Sequence, residues 1–102
     1  MKVYRVRVAR TEEIDIDRLA DFLFKTLSKT GSYRYLDVVG QEMSSLSVYA
    51  DCFSESRSRT IQNIHPHARR MVSHNHKLVY IFHIEGGLVI IDRVLFAKMI
   101  ID

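Results

Sequence analysis

The sequence predicts an α+β domain with the element order β-α-α-β-β-β, a helical hairpin packed on one face of a mainly antiparallel sheet. Three observations carry this. Gly86-Gly87 separates two runs rich in Val, Ile, Leu, Tyr and Phe, the pattern of a tight hairpin whose turn needs a positive φ. Ile16, Leu19, Ala20, Leu23 and Leu27, then Leu36, Val39, Met43, Leu46 and Ala50, recur in short helical steps, as the apolar stripes of two helices do. The β-rich runs also stand apart from the helical ones along the chain, which favours α+β over an alternating parallel architecture.

Taken in order, Lys2 to Ala9 alternates through Val3, Tyr4, Arg5, Val6, Arg7 and Val8, the pattern of a half-buried strand. Arg10 to Glu13 reads as a polar connection, with Asp15 or Asp17 placed to cap the first helix. Phe22 and Phe24 widen that helix's apolar surface, so cover on more than one side is expected. Lys29-Thr30-Gly31-Ser32 reads as a helix stop followed by a cap. The second helix runs to about Ala50, antiparallel to the first, with Met43 in the core. Asp51 to Asn63, polar throughout from Ser54 to Thr60, reads as an exposed, mobile loop. Ile64-His65-Pro66-His67 then leads into a meander of three strands, joined by a turn at His74-Asn75-His76 and by the glycine pair. Strands are expected near residues 3–9, 68–73, 77–85 and 88–96, the first with no derivable partner.

At 102 residues with 47% apolar side chains, the chain suits one domain, residues 1–102, around a single core. The opening residues lack a signal-peptide pattern, and no apolar run approaches a membrane span. A cytoplasmic protein without membrane association is expected. The lone Cys52 fits a reducing compartment and reads as a small loop or core residue, without a nucleophile motif. A net charge of +3 and pI near 9.2 permit an anionic partner. Placement says more: after Arg57 the acids are Glu85, Asp92 and the last residue, against Arg59, Arg69, Arg70, Lys77, Arg93 and Lys98.

With helices on one face, the second face of the sheet is expected to stay open, and Lys77, Val79, Ile81 and His83 share the parity assigned to it. Tyr80 and Phe82 then belong to the core. Of Arg69 and Arg70, adjacent on one strand, only one can face outward.

Arg70-Met71-Val72, Lys77-Leu78-Val79-Tyr80-Ile81-Phe82 and Val89-Ile90-Ile91-Asp92-Arg93-Val94-Leu95 resemble the C-terminal strands of the RelE/ParE toxin superfamily, and the order of elements agrees over essentially the whole chain. The resemblance implies the toxin of a bacterial type II toxin-antitoxin (plasmid stabilisation) module, inhibiting growth until a cognate antitoxin binds. Arg69, Arg70, Lys77, Arg93 and Lys98 are the expected partner-binding residues. It also implies one of two targets, DNA gyrase or ribosome-bound mRNA. For the metal-independent endoribonuclease, Arg70, Lys77 and Lys98 approximate the basic catalytic positions. Such cleavage also needs proton transfer, yet Leu95-Phe96-Ala97 stands where many relatives present His or Tyr. His67, His74, His76 and His83 are the remaining proton-transfer candidates. This departure favours ParE-like action on gyrase. A non-toxic nucleic-acid-binding module is the further alternative, although no such motif is present.

All five histidines fall between His65 and His83, four of them in two pairs, His65/His67 and His74/His76, spaced to share one side of an extended segment. A metal site can be built that way. Without a nearby Cys they are read as turn and surface histidines, with no metal and no cofactor. The bases have a plain reading as well, a solvated face or an electrostatic seat for an acidic segment.

Overall fold

The computed structural model describes residues 2–100, except the side chains of Thr11, Glu12, Glu13 and Met99. Strand β1 is Arg5–Val8, helices α1 and α2 are Arg10–Thr26 and Lys29–Tyr49, and the short helix α3 is Arg59–Gln62. Strands β2, β3 and β4 are Arg69–Val72, Leu78–Glu85 and Leu88–Phe96. They form one sheet in the order β1-β4-β3-β2. The meander is antiparallel as expected, and Gly86 at φ +57° turns β3 into β4. His76, at φ 60°, closes the β2–β3 turn. The partner of β1 is β4, and the pair is parallel, with Arg5 opposite Leu88 and Val8 opposite Ile91.

On β1 the inward parity is that of Tyr4, not Val3. Tyr4 is buried and donates its hydroxyl to Asp51 at 2.8 and 2.9 Å, whereas Val3 is exposed beside Arg5 and Arg7. An aromatic ring with a hydroxyl at its tip fills the core and still reaches a polar partner.

Both helices begin earlier than their apolar stripes. Helix α1 starts at Arg10 behind Ala9, whose side chain makes no cap bond. Asp15 is therefore not a cap but a buried residue of the second turn. The hairpin link is Leu27-Ser28, and Ser28 caps α2, its Oγ accepting from the Gly31 amide at 3.1 Å. Gly31 and Ser32 lie inside the first turn of α2 and do not interrupt it. Leu19 and Leu23 of α1 and Val39, Leu46 and Ala50 around α2 pack with Tyr80, Phe82, Val89 and Ile91 in the main core. Phe22, Phe24 and Leu27 are instead about half exposed. Helix α1 is still covered on two sides, by β4 and by α2, and these rings make edge contacts with Phe96 and Tyr33 at the hairpin surface.

The second sheet face is not open. Val79 and Ile81 are buried beneath Ile61 and Ala68, with Ile64, Leu95, Ala97 and Ile100 around them. The stretch read as an exposed loop lies over the sheet: Ser58 caps α3 through the Ile61 amide, and the Ser56 amide donates to Ala68 O at 2.8 Å. A strand covered on both faces is apolar at successive positions, which accounts for the unbroken run in β3. Ile61→Ala should cost about 2 kcal/mol in urea unfolding, toward the low end for a buried aliphatic because a one-turn helix can settle into the space. An exposed, mobile α3 would leave stability unchanged.

Pairing of β3 with β4 shifts between Ile81 and Phe82, so that Ile81 faces Arg93 and Phe82 faces Ile91. Asp92 is the extra residue of a β-bulge. By reversing parity once, the bulge keeps Val89 and Ile91 on the same core as Val94.

Candidate functional site

The bases expected to mark a site fall into separate groups. Arg70, opposite Ile81 on the edge strand β2, points away from the helical hairpin and lines a broad depression with Glu55, Ser56, Arg57, Ser58 and Arg59. Arg57 and Arg59 count among the bases of the C-terminal half but not among the site residues expected from sequence, although their spacing around the α3 cap, Arg57-Ser58-Arg59, was the available signal. Arg69 points the other way, its Nη1 donating to Phe53 O at 2.9 Å.

Lys77 and Lys98 stand together with His76 around a second depression, whose apolar wall is Phe22, Phe96 and Ala97. The Ala97 amide donates to Lys77 O at 2.9 Å, and Lys98 Nζ lies 5.9 Å from the centre of the Phe96 ring. The register separates this group from Arg70 by about 13 Å along the sheet, four residues at strand rise.

Arg93 belongs to neither group. Its Nε and Nη2 donate to Asp15 at 2.7 and 3.0 Å, and the same carboxylate accepts the Val94 amide at 3.0 Å. Hydrogen bonding to Asp15 raises the Arg93 pKa, against an opposing effect of burial and with further help from the Asp15 charge. The guanidinium is thus charged at every working pH and acts as a tie between α1 and β4.

Of the histidines, His67 is exposed 2.9 Å from Glu55, and His74 holds its amide on Glu42 at 3.1 Å. His76 is the one at the Lys77–Lys98 depression. His83 is buried on the second face, with Nδ1 2.6 Å from Asp92 and its ring stacked on His65. At the end of β4, Leu95 and Ala97 pack on the second-face cluster and Phe96 on the main core. These three positions are spent on packing.

No family model and no curated protein sequence matches this chain. Among solved structures, a chain of the chromosomal ParDE TA system from P. aeruginosa superposes with a TM-score of 0.77, over 92% of this chain and 96% of that one, at 14% identity. The chain has a ParE-like fold. Within the ParE-like frame, β2 is an edge strand beside the Arg57–Arg59–Arg70 depression, and the Lys77–Lys98 depression lies where β4 ends. Among the described residues, no helix is long and apolar enough to cross a membrane.

Proposed function

We propose that this chain, as a single domain over residues 1–102, is a RelE/ParE-superfamily toxin of a type II toxin-antitoxin module, acting in the cytoplasm on DNA gyrase until an antitoxin covers it. The observation that carries this reading is the ParE-like fold, shared over nearly the full length of both chains with a member of a ParDE TA system. The surface supports it. An acidic, extended antitoxin segment finds complementary charge at Arg57, Arg59 and Arg70 beside the β2 edge. The gyrase target is favoured because Leu95, Phe96 and Ala97 supply no proton donor where β4 ends.

A second reading, ribosome-dependent cleavage of mRNA, draws on His76, which sets an imidazole beside the two cations Lys77 and Lys98. Histidine moves protons near neutral pH, as Lys and Arg do not.

Expression alone from a tightly controlled promoter should arrest growth, and co-expression of an adjoining small gene should relieve it. Purified protein should block gyrase supercoiling and leave mRNA on ribosomes intact. Codon-dependent cuts with normal supercoiling would transfer the assignment to the ribonuclease. His76→Asn separates the two at one residue, because Asn tolerates the left-handed backbone while losing the titratable ring. Growth inhibition should stay within about twofold on the gyrase reading, whereas loss of a proton-transfer group costs about 100-fold or more. Harmless expression with no adjoining small gene would leave a nucleic-acid-binding module.

A further inference from the structure

His83 sits among apolar neighbours on β3, and its surroundings determine its proton. Asp92, 2.6 Å from Nδ1, is an acceptor, so Nδ1 carries hydrogen and donates. That leaves the lone pair of a neutral ring on Nε2. Nε2 in turn lies 3.3 Å from Oε1 of Glu85. Two electron-rich atoms so placed repel unless a cation joins them.

His65 completes the cluster from the segment between α3 and β2. Its ring lies flat on His83, 3.7 Å between centres and 3° from parallel. One ligand atom from each of His65, His83 and Glu85 falls within 4.8 Å of the others. Nitrogens and carboxylate oxygens about 2.0–2.2 Å from a tetrahedral Zn2+ are about 3.4 Å apart. Turning one of the two rings, with small adjustments of the other side chains, closes that difference.

We propose that His83, Glu85 and His65 bind one divalent transition-metal ion of the Zn2+ class, with Asp92 orienting His83 from behind. Imidazole nitrogen with carboxylate oxygen suits such an ion, and a carboxylate on the far nitrogen of a ligating histidine fixes its tautomer and raises its basicity. A metal lies in the plane of each ring that ligates it, so two parallel rings cannot share one ion. His65 is the ring that turns. It is only half-buried, and apart from the stack on His83 it is held, among the described residues, by Nδ1 accepting the His67 amide at 3.1 Å. His83, buried and held by Asp92, keeps its place. The bound ion ties the segment covering the second face to the β3–β4 hairpin. This site does not rest on the toxin assignment: of its residues only His83 was a proton-transfer candidate for mRNA cleavage, and it lies buried on the second face, outside the Lys77–Lys98 depression.

The test is a Zn2+ titration of untagged, chelator-treated protein by calorimetry, paired with thermal unfolding. One ion per chain and a rise in Tm are expected, with exchange of the His67 amide accelerated as its acceptor leaves. His65→Ala and Glu85→Gln alter side chains at the surface of the cluster, so folding is retained where His83→Ala endangers it. Each should weaken binding by about tenfold or more, and Asp92→Asn by about tenfold. Absence of saturable binding would overturn the site. Undiminished binding in either His65→Ala or Glu85→Gln would overturn it equally, assigning the ion to surface histidines.

Discussion

Phe82→Ala is expected to lower stability by about 4 kcal/mol, seen in urea unfolding as an earlier midpoint at unchanged slope. Phe82 is fully buried at the centre of β3, with its ring in edge contact with Phe53 at 6.0 Å between centres. Truncation removes the apolar area and leaves a void bordered by the sheet and the residues after α2. Neighbours on a hydrogen-bonded strand cannot slide in to fill it, so the loss should lie well above that at Ile61. A loss below about 1 kcal/mol would mean that the main core does not have its centre here.

Asp15→Ala should cost about 3 kcal/mol. One side chain serves three bonds: two from Arg93 and one from the Val94 amide. Removing it leaves a buried amide unsatisfied and a guanidinium unpaired, the case in which a buried pair matters most. Arg93 keeps about a quarter of its side chain in water, which holds the loss at the lower end of the range for buried pairs. The double change Asp15→Leu with Arg93→Met should recover much of it, because two apolar groups leave no orphaned charge. No recovery would point to a role beyond stability.

Local pattern was enough for the meander. Gly86-Gly87 has flanks that agree with a hairpin at every level, and the strand ends shifted little. Helix starts were harder to read, because the first turn of α1 has a polar opening and an N-terminal Ala9 without capping chemistry. Gly31 misled differently: a residue suited to ending a helix also sits in a first turn when Ser28 provides the cap. Cover on the second face had a signal that polar Ser54–Thr60 obscured, the 3-then-4 spacing of Ile61, Ile64 and Ala68. Nothing local announced the bulge, for apolar residues flank Asp92 whichever way parity runs. The His65–His83 stack joins residues 18 positions apart through that fold, and only the assembled sheet brings Asp92 and Glu85 to the same ring. Among the bases, type and number were legible. Grouping was not, because direction on a strand and distance along it belong to the register.

The parallel pairing of β1 with β4 has a consequence for synthesis on the ribosome. Arg5 meets Leu88 and Val8 meets Ile91, so a strand made at the start of translation waits for one made some 83 residues later. At ordinary elongation rates of about 5–20 residues per second, that wait lasts roughly 4–17 s. Through it the nascent chain can form the helical hairpin, whose contacts are local, but not the finished sheet. A polypeptide released early, before β4, has no seat for β1 and leaves β3 paired only with β2.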